Sequence, residues 1–500
     1  MELQVSLLSI FLLFVVVNCE QTIKAVAATV PSTEIKAITE NKIIPENATT
    51  NVTVEPLPSL CTVCACALSV VNCSDRALNS TFEEVQWPKK PIPEISFKGN
   101  HLVHLKPFPS VTIRKLILRQ NKITKIEYCA FKNISNLTEL DLSHNELTTE
   151  NLKPEVFEGR FSPESYEPLA KLTFLNLAHN KLHALNQDVF EHLASLKVLI
   201  LAGNPLNMME GHTTLAVSSL PYLEELDLGY CELDDLPKHI FYKPRYLKKL
   251  ILNGNQFTSI PNALASAKSL ESLSFDENPI ESINQLNAFP AMPMLKELNL
   301  CCMPYLSEVG RGSFAQLKAL EKLRIQNCPL LKEIDGNALM EEGAVWPPLK
   351  TLDLSDNALE YLPSQLVGRW DRLEELDLMN NQWSCDCNNQ YLIGSLLPTH
   401  GKRLMGEEVN ELRCSQPPEH AGENLTSLEN RQLRCLDLYG ARPEKDGAIL
   451  IGILIGLLLA VPLGLAIFVF WQRGFFFCGN QGPASYSRAF YKRTPNDDEI

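Results

Sequence analysis

The chain has 500 residues, is 45 % hydrophobic and carries a formal charge of −14. Nucleic-acid binding depends on neutralising phosphates with lysine and arginine, so this acidic balance excludes non-specific attachment to DNA or RNA. Length alone would suggest several domains, but internal repetition removes the meaning of that count.

Met1 to about Cys19 reads as a secretory signal peptide, because the apolar run Leu7 to Val17 is short for a bilayer span. Residues 20–59 show no period and read as a flexible, glycosylated segment. Cys61-x2-Cys64-x-Cys66-x6-Cys73 then opens an ordered cap over residues 60–91. In an oxidising compartment such spacing makes a disulfide knot; zinc is the rival ligand for it. Four cysteines allow three connectivities, and the spacing alone does not choose among them.

From Ile92 to Trp383 the chain repeats. Leu172-x-x-Leu175-x-Leu177-x-x-Asn180-x-Leu182 and Leu349-x-x-Leu352-x-Leu354-x-x-Asn357-x-Leu359 share one spacing, and about twelve such units recur, mostly every 23 to 27 residues. This is the leucine-rich repeat period. The x-Leu-x-Leu-x piece alternates as a short strand must, with leucines inward. Asn100, Asn121, Asn145, Asn180, Asn204, Asn255, Asn278, Asn357 and Asn381 occupy the ninth position, where an amide can bond backbone groups of adjacent coils. Cys231 and Cys328 replace that Asn as small buried residues. Met303 stands there in the coil beginning at Leu295, which is expected to be locally irregular. A long insertion, Thr148 to Lys171, reads as a loop on the flank or an imperfect extra turn.

Residues 384–436, with Cys385-x-Cys387, Cys414 and Cys435, form a second cysteine cap. A stalk, 437–447, leads to an uncharged span at 448–471 that is long enough to cross a bilayer, with Trp471 at its end. Arg473, Arg488, Lys492 and Arg493 follow, which makes 472–500 a cytoplasmic tail and the topology type I at the cell membrane, with the N-terminus outside. Sequons at Asn47, Asn51, Asn79, Asn133, Asn136 and Asn424 precede the span; Asn72 also fits, but its middle residue is Cys73. In the tail, Cys478 is placed for palmitoylation, and Asp498 with Ile500 matches the acidic class of PDZ ligand, which implies a cytoplasmic adaptor. Gly452-x3-Gly456 has the spacing of a helix-pairing face, hence a candidate homodimer contact.

The two caps, with NQWSCDC around Cys385, resemble those of extracellular leucine-rich repeat proteins, and the layout is similar to single-pass trophoblast glycoprotein-like and Lapsyn- and Tartan-like cell-surface proteins. The resemblance implies Cys61–Cys66, Cys64–Cys73, Cys385–Cys414 and Cys387–Cys435 pairs. It implies an α/β solenoid, a horseshoe with a parallel concave sheet, disulfide caps and one transmembrane helix. It also implies recognition of an extracellular or cell-surface protein, as an adhesion molecule or receptor. A co-receptor acting through an associated chain and a matrix-organising protein are the alternatives.

Solvent-facing strand residues line the concave surface, the usual contact face of a solenoid. The candidates there are Arg114, Lys115, Arg119, Glu224, Glu225, Lys248, Glu271 and Asp276 among the charges, and Phe174, Val198 and Tyr230 as apolar anchors. The sequence has no GxSxG and no P-loop, and His179, His183 and His192 lack the HExxH spacing, so neither an enzyme nor a metal or cofactor is expected. Cys129, Cys231, Cys301, Cys302 and Cys328 remain after the caps; a bridge from Cys301 or Cys302 to Cys328 is the candidate pairing.

Overall fold

The computed structural model describes residues 59–473 apart from 89, 162–165, 168, 208, 210, 341–345 and 436–442. The signal peptide, Asn47, Asn51, Cys478, Asp498 and Ile500 lie outside the described residues. The chain divides into two units, Met1–Gln432 and Leu433–Ile500.

In the first unit fourteen strands form one sheet. Ala65–Cys66 and Val70–Asn72 pair antiparallel, and every later pairing in this sheet is parallel, because each coil re-enters the sheet in the same direction. The strands match rank for rank. Leu140, Leu175, Leu199, Leu226, Leu250, Leu273, Leu298, Leu323, Leu352 and Leu376 sit side by side across ten neighbouring strands. All are buried. Removing each such side chain from water contributes roughly 1.5–3 kcal/mol. The residues flanking each central leucine remain at least partly exposed in most strands and form the concave face.

Behind the strand each coil must turn inside a packed interior, where an unpaired backbone group is costly. The ladder asparagines resolve this. Asn145 Nδ2 donates to Leu142 O in its own coil at 2.9 Å and to Leu118 O in the preceding coil at 3.1 Å, while its Oδ1 accepts from Ile123 N. Asn121, Asn180, Asn204 and Asn255 repeat this arrangement. The residue just ahead of the ladder position is left-handed in coil after coil. Gln120, His144, His179, Tyr230, Glu277, Cys302, Asn327, Asp356 and Asn380 have φ between 53° and 61°. A non-glycine residue there is disfavoured by roughly 1–2 kcal/mol, and it holds because the ladder bonds on both sides fix the turn.

Cysteine serves the same slot differently. Cys231 Sγ lies 3.4 Å from Leu201 O and from Gly229 O, and Cys328 Sγ lies 3.6 Å from Leu300 O and 3.5 Å from Gln326 O. Burial pushes these thiols up to about 12 and about 11, so each stays protonated and donates.

Three expectations are corrected here. The coil at Leu295 is regular in the sheet: Glu297–Asn299 pairs in register with both neighbours, and Met303 and Leu306 are fully buried. A flexible apolar side chain fills the ladder slot without a polar partner. Cys301 bonds to Cys302, its sequence neighbour, and Cys328 is an unbonded buried thiol, so the bridge to Cys328 does not form. The insertion after Thr148 is neither wholly loop nor an extra turn. Leu152, Val156 and Phe157 are buried, with Phe157 stacked on Phe131 at 6.0 Å as Phe131 is on Phe108 at 6.1 Å. Among the described residues of the insertion, the antiparallel hairpin Arg160–Phe161 with Tyr166–Glu167 is additional.

Both ends of the core are covered. Cys61–Cys66 and Cys64–Cys73 hold the first cap, and Trp87 extends the aromatic column against Phe97 and Phe108. In the last cap Cys385 bonds to Cys414, and Cys387 and Cys435 are both disulfide-bonded. Trp383 is 1 % exposed, with its Nε1 donating to Leu378 O at 3.1 Å. Buried Asp386 accepts from Tyr361 Oη and Ser384 Oγ at 2.8 Å each and from Asn388 N at 2.8 Å. These bonds satisfy a carboxylate that burial would otherwise penalise.

Among the described residues of the second unit there is one helix, Pro443–Gln472, continuous through Pro462. Its stretch Gly447–Gln472 has a mean hydropathy of 2.9, and by length and composition it can cross a membrane.

The ladder makes a quantitative prediction. Asn255→Ala strands the amides of Cys231 and Leu233 and the buried carbonyl of Leu228, while Leu252 O keeps its bond from Asn278, and it should lower stability by about 3 kcal/mol in a urea titration. Cys231→Asn, which restores the repeat's own residue, should not lower it.

Candidate functional site: the concave sheet

Three rows of side chains cross the concave sheet. In the first, each residue following the coil's opening leucine alternates in sign: Lys197, Glu224, Lys248, Glu271, Lys296, Glu321, Lys350, Glu374. Adjacent strands bring them within bonding reach. Glu224 bonds to Lys197 at 2.7 Å and Lys248 at 3.2 Å, Glu271 to Lys296 at 2.7 Å, and Glu321 to Lys350 at 2.7 Å. Hydrogen bonds from these lysines hold the three carboxyls below the ordinary glutamate value. The row is therefore largely neutralised from within. Such exposed pairs add little stability; what they fix is the register of charge.

The second row carries Lys115–Glu139 at 3.2 Å and Glu225–Lys249 at 2.8 Å, and its Glu297 reaches across to third-row Arg324 at 2.7 Å. Between the first two pairs stand Phe174 and Val198, which are register partners. The third row adds Ile200 beside Val198's strand position, then Asp227, then Ile251. Phe174, Val198 and Ile200 thus form a half-buried apolar island flanked by internally paired charges.

The third-row acids look like ligand acids but act locally. Asp141, Asp227, Asp353 and Asp377 each accept the backbone N–H two residues on, at 2.9–3.0 Å, and Asn176 does the same. They shape the exit from the strand. Burial pushes the Asp227 and Asp377 carboxyls up.

A final row lies on the left-handed turn residues. His144 and His179 stack with centroids 4.3 Å apart, and Arg119 reaches His144 Nε2 at 3.4 Å. Tyr230 donates to Glu277 Oε1 at 3.0 Å across Gly254. A Cβ on Gly254 would lie 2.2 Å from the Tyr230 ring, and one on Gly203 2.3 Å from the His179 ring. Those two positions have room only for glycine under the preceding ring.

The candidates therefore differ in availability. Lys115, Glu224, Glu225, Lys248 and Glu271 are consumed in pairs. Asp276 accepts from Ser274 Oγ and Cys301 N at 2.7 Å each. Exposed Arg114 forms no ion pair among the described residues, and Phe174, Val198 and exposed Tyr230 remain as surface anchors. Ile200 and the paired Lys197, Lys296, Glu321 and Lys350 were missed. Aligning the coils by their leucines would have revealed the alternation. The histidines do not converge: His183 pairs with Glu150 at 3.3 Å and His192 with Glu191 at 3.1 Å. Among the sequons, Asn79 is exposed, Asn133 Nδ2 donates to Phe108 O, Asn136 accepts from Lys171, and Asn424 leads into a short helical turn.

A family model described as leucine rich repeat matches residues 111–162, 159–206 and 221–280. The matched stretches are leucine-rich repeats, and the fold around them is a solenoid of stacked coils with disulfide-bonded caps. It is 29 % identical over 295 residues to podocan-like protein 1 of Homo sapiens, covering 58 % of this chain and 52 % of that protein. It is 29 % identical over 317 residues to the transforming growth factor beta activator LRRC32 of Pongo abelii, covering 54 % and 46 %. The figures for lumican of Rattus norvegicus are 29 % over 269 residues, covering 47 % and 77 %. The matched stretch spans about half the length of the podocan-type relatives and of LRRC32. A chain of the solved Toll–Spatzle complex aligns over 70 % of this chain and 56 % of its own, at 19 % identity and a TM-score of 0.42.

The stacked histidines give this repeat protein a pH signature. Burial, then the charges of His179 and Arg119, holds His144 below the ordinary histidine value of 6.5, and burial does the same for His192. The unfolded chain binds these protons first, so stability is lost as pH falls through about 6.5. Thermal midpoints should drop between about pH 7.5 and about pH 5.5. His144→Gln should reduce that drop, leaving the parts contributed by His192 and by His400, which burial and then Arg403 also hold below the ordinary value.

Proposed function

We propose that this is a non-catalytic cell-surface protein, type I in orientation, that binds another protein through the concave sheet as an adhesion molecule or receptor. The observation that carries the reading is the island of Phe174, Val198 and Ile200 set among charges that already satisfy one another. An apolar centre is rapidly desolvated by a partner, and a rim whose ion pairs need no outside counter-charge can exclude water around it. Supporting the membrane placement is the apolar helix, and supporting a protein partner is a similarity to LRRC32, named as an activator of transforming growth factor beta. The trophoblast glycoprotein-like subgroup, the PDZ-type adaptor and pairing of two copies through Gly452 and Gly456 belong to the same proposal, and rest on sequence motifs.

The test is a screen of secreted and cell-surface protein ectodomains against the full-length chain. A protein ligand is expected whose affinity falls about tenfold or more with Phe174→Glu or Ile200→Glu, at unchanged unfolding midpoint. A ligand found only among carbohydrates or lipids, or protein binding indifferent to both substitutions, would overturn the reading. Deleting 472–500 should leave cell-to-cell adhesion intact; its loss would favour the co-receptor alternative.

A further inference from the structure

A second surface feature lies outside the concave sheet, in the turns that lead into the strands Glu225–Asp227 and Lys249–Ile251. Three tyrosines gather there. Tyr222 and Tyr246, each just ahead of its coil's opening leucine, stack with centroids 6.0 Å apart at 20°. Tyr242 sits edge-on to His239 at 6.5 Å and 89°. With Pro221, Lys243 and Arg245 they line a concavity of about 360 Å³. Tyr222, Tyr242 and Tyr246 are 53 %, 71 % and 56 % exposed.

The local chain explains this display. Phe241, Pro244 and Leu247 are buried and pin the turn, so Tyr242, Lys243, Arg245 and Tyr246 are left on the outside. Arg245 O is further tied by Ser269 Oγ, and Leu247 N bonds back to Pro244 O. The cup is thus presented on a fixed backbone, not on a loose loop. Fixed rings lose little entropy on binding, and tyrosine and arginine are the residue types in which binding energy concentrates.

The charges distinguish this site from the neighbouring first row. Lys197, Lys248 and Lys249 are each bonded to a glutamate. Lys243 and Arg245 form no ion pair among the described residues, and none of the three phenol hydroxyls has a hydrogen-bond partner there. Two open cations beside an aromatic cup call for a carboxylate next to an apolar side chain. A long polyanion fits poorly. The cup offers two cations only, Glu224 stands two residues from Tyr222, and the chain as a whole carries −14.

We propose that Tyr222, Tyr242 and Tyr246 with Lys243 and Arg245 form a docking site, separate from the concave sheet, for an acidic peptide segment of a protein partner. The apolar side chain seats among the rings, and the adjacent carboxylate meets the Arg245 guanidinium and the Lys243 ammonium. The site does not depend on the concave-face reading and can exist without it.

The probe is an array of dodecapeptides with Asp or Glu placed two residues from Phe, Leu or Pro, each accompanied by its Asn or Gln copy. Binding of the full-length chain, purified in detergent, is read by surface plasmon resonance. Acidic members are expected to bind about tenfold or more tightly than their amide copies, and to weaken as salt is raised. Arg245→Glu and Tyr242→Ala, both at exposed positions, should each remove about tenfold or more of that affinity. Arg372→Glu, an exposed position just ahead of Leu373 in the last coil, where Tyr246 stands ahead of Leu247, should leave it unchanged, and circular dichroism melts confirm that all three variants are folded. Equal binding of acidic and amide peptides, binding insensitive to both cup substitutions, or selective binding of a heparin oligosaccharide in place of the peptides would each overturn the proposal.

Discussion

Each coil of this solenoid reverses direction within a few residues of a three-residue strand, and the groups that make the reversal are buried. A backbone amide or carbonyl left without a partner there is destabilising by about 1–3 kcal/mol. The ladder residue is therefore the constraint on which everything else rests. By bonding its own coil and the one before, each asparagine fixes both the turn and the stacking of successive coils. Stacking in turn sets the strand register, and register decides which side chains become neighbours on the surface.

The left-handed residue before the ladder position is a consequence of the same turn. Because its backbone is dictated, its side chain is aimed at the corresponding residue of the next coil. His179 covers Gly203 and Tyr230 covers Gly254, so a large ring in one coil calls for a glycine in the next. Where both positions carry rings, as at His144 and His179, they stack. Surface chemistry along this edge thus follows from a backbone requirement.

The concave face shows how a crowded charge pattern can leave little free charge. Parallel strands place equal ranks about 5 Å apart, and the alternation of Lys and Glu from Lys197 to Glu374 converts that spacing into a chain of ion pairs and near neighbours. The contrast falls on what is not neutralised: the apolar island at Phe174, Val198 and Ile200, and the open cations Lys243 and Arg245 beside the tyrosine cup.

The sequence determined the repeat, its inward leucines, the ladder asparagines and the apolar span, because each is a periodic or compositional signal carried by neighbouring residues. The cysteine ranks at the two caps were equally visible, and the cap pairings Cys61–Cys66, Cys64–Cys73 and Cys385–Cys414 seen in the fold are the ones the family likeness implied. Local irregularity was read less well. Met303 looked like a break in the repeat, but a flexible side chain fills the slot that stacking leaves, so the coil stays in register. Part of the insertion after Thr148 proved to be core, since Phe157 continues the column of Phe108 and Phe131. Which charges pair, which remain open, and that Tyr222, Tyr242 and Tyr246 meet at all were decided only by the tertiary structure. Those contacts join residues some twenty to thirty positions apart, and only the stacking of one coil on the next brings them within reach.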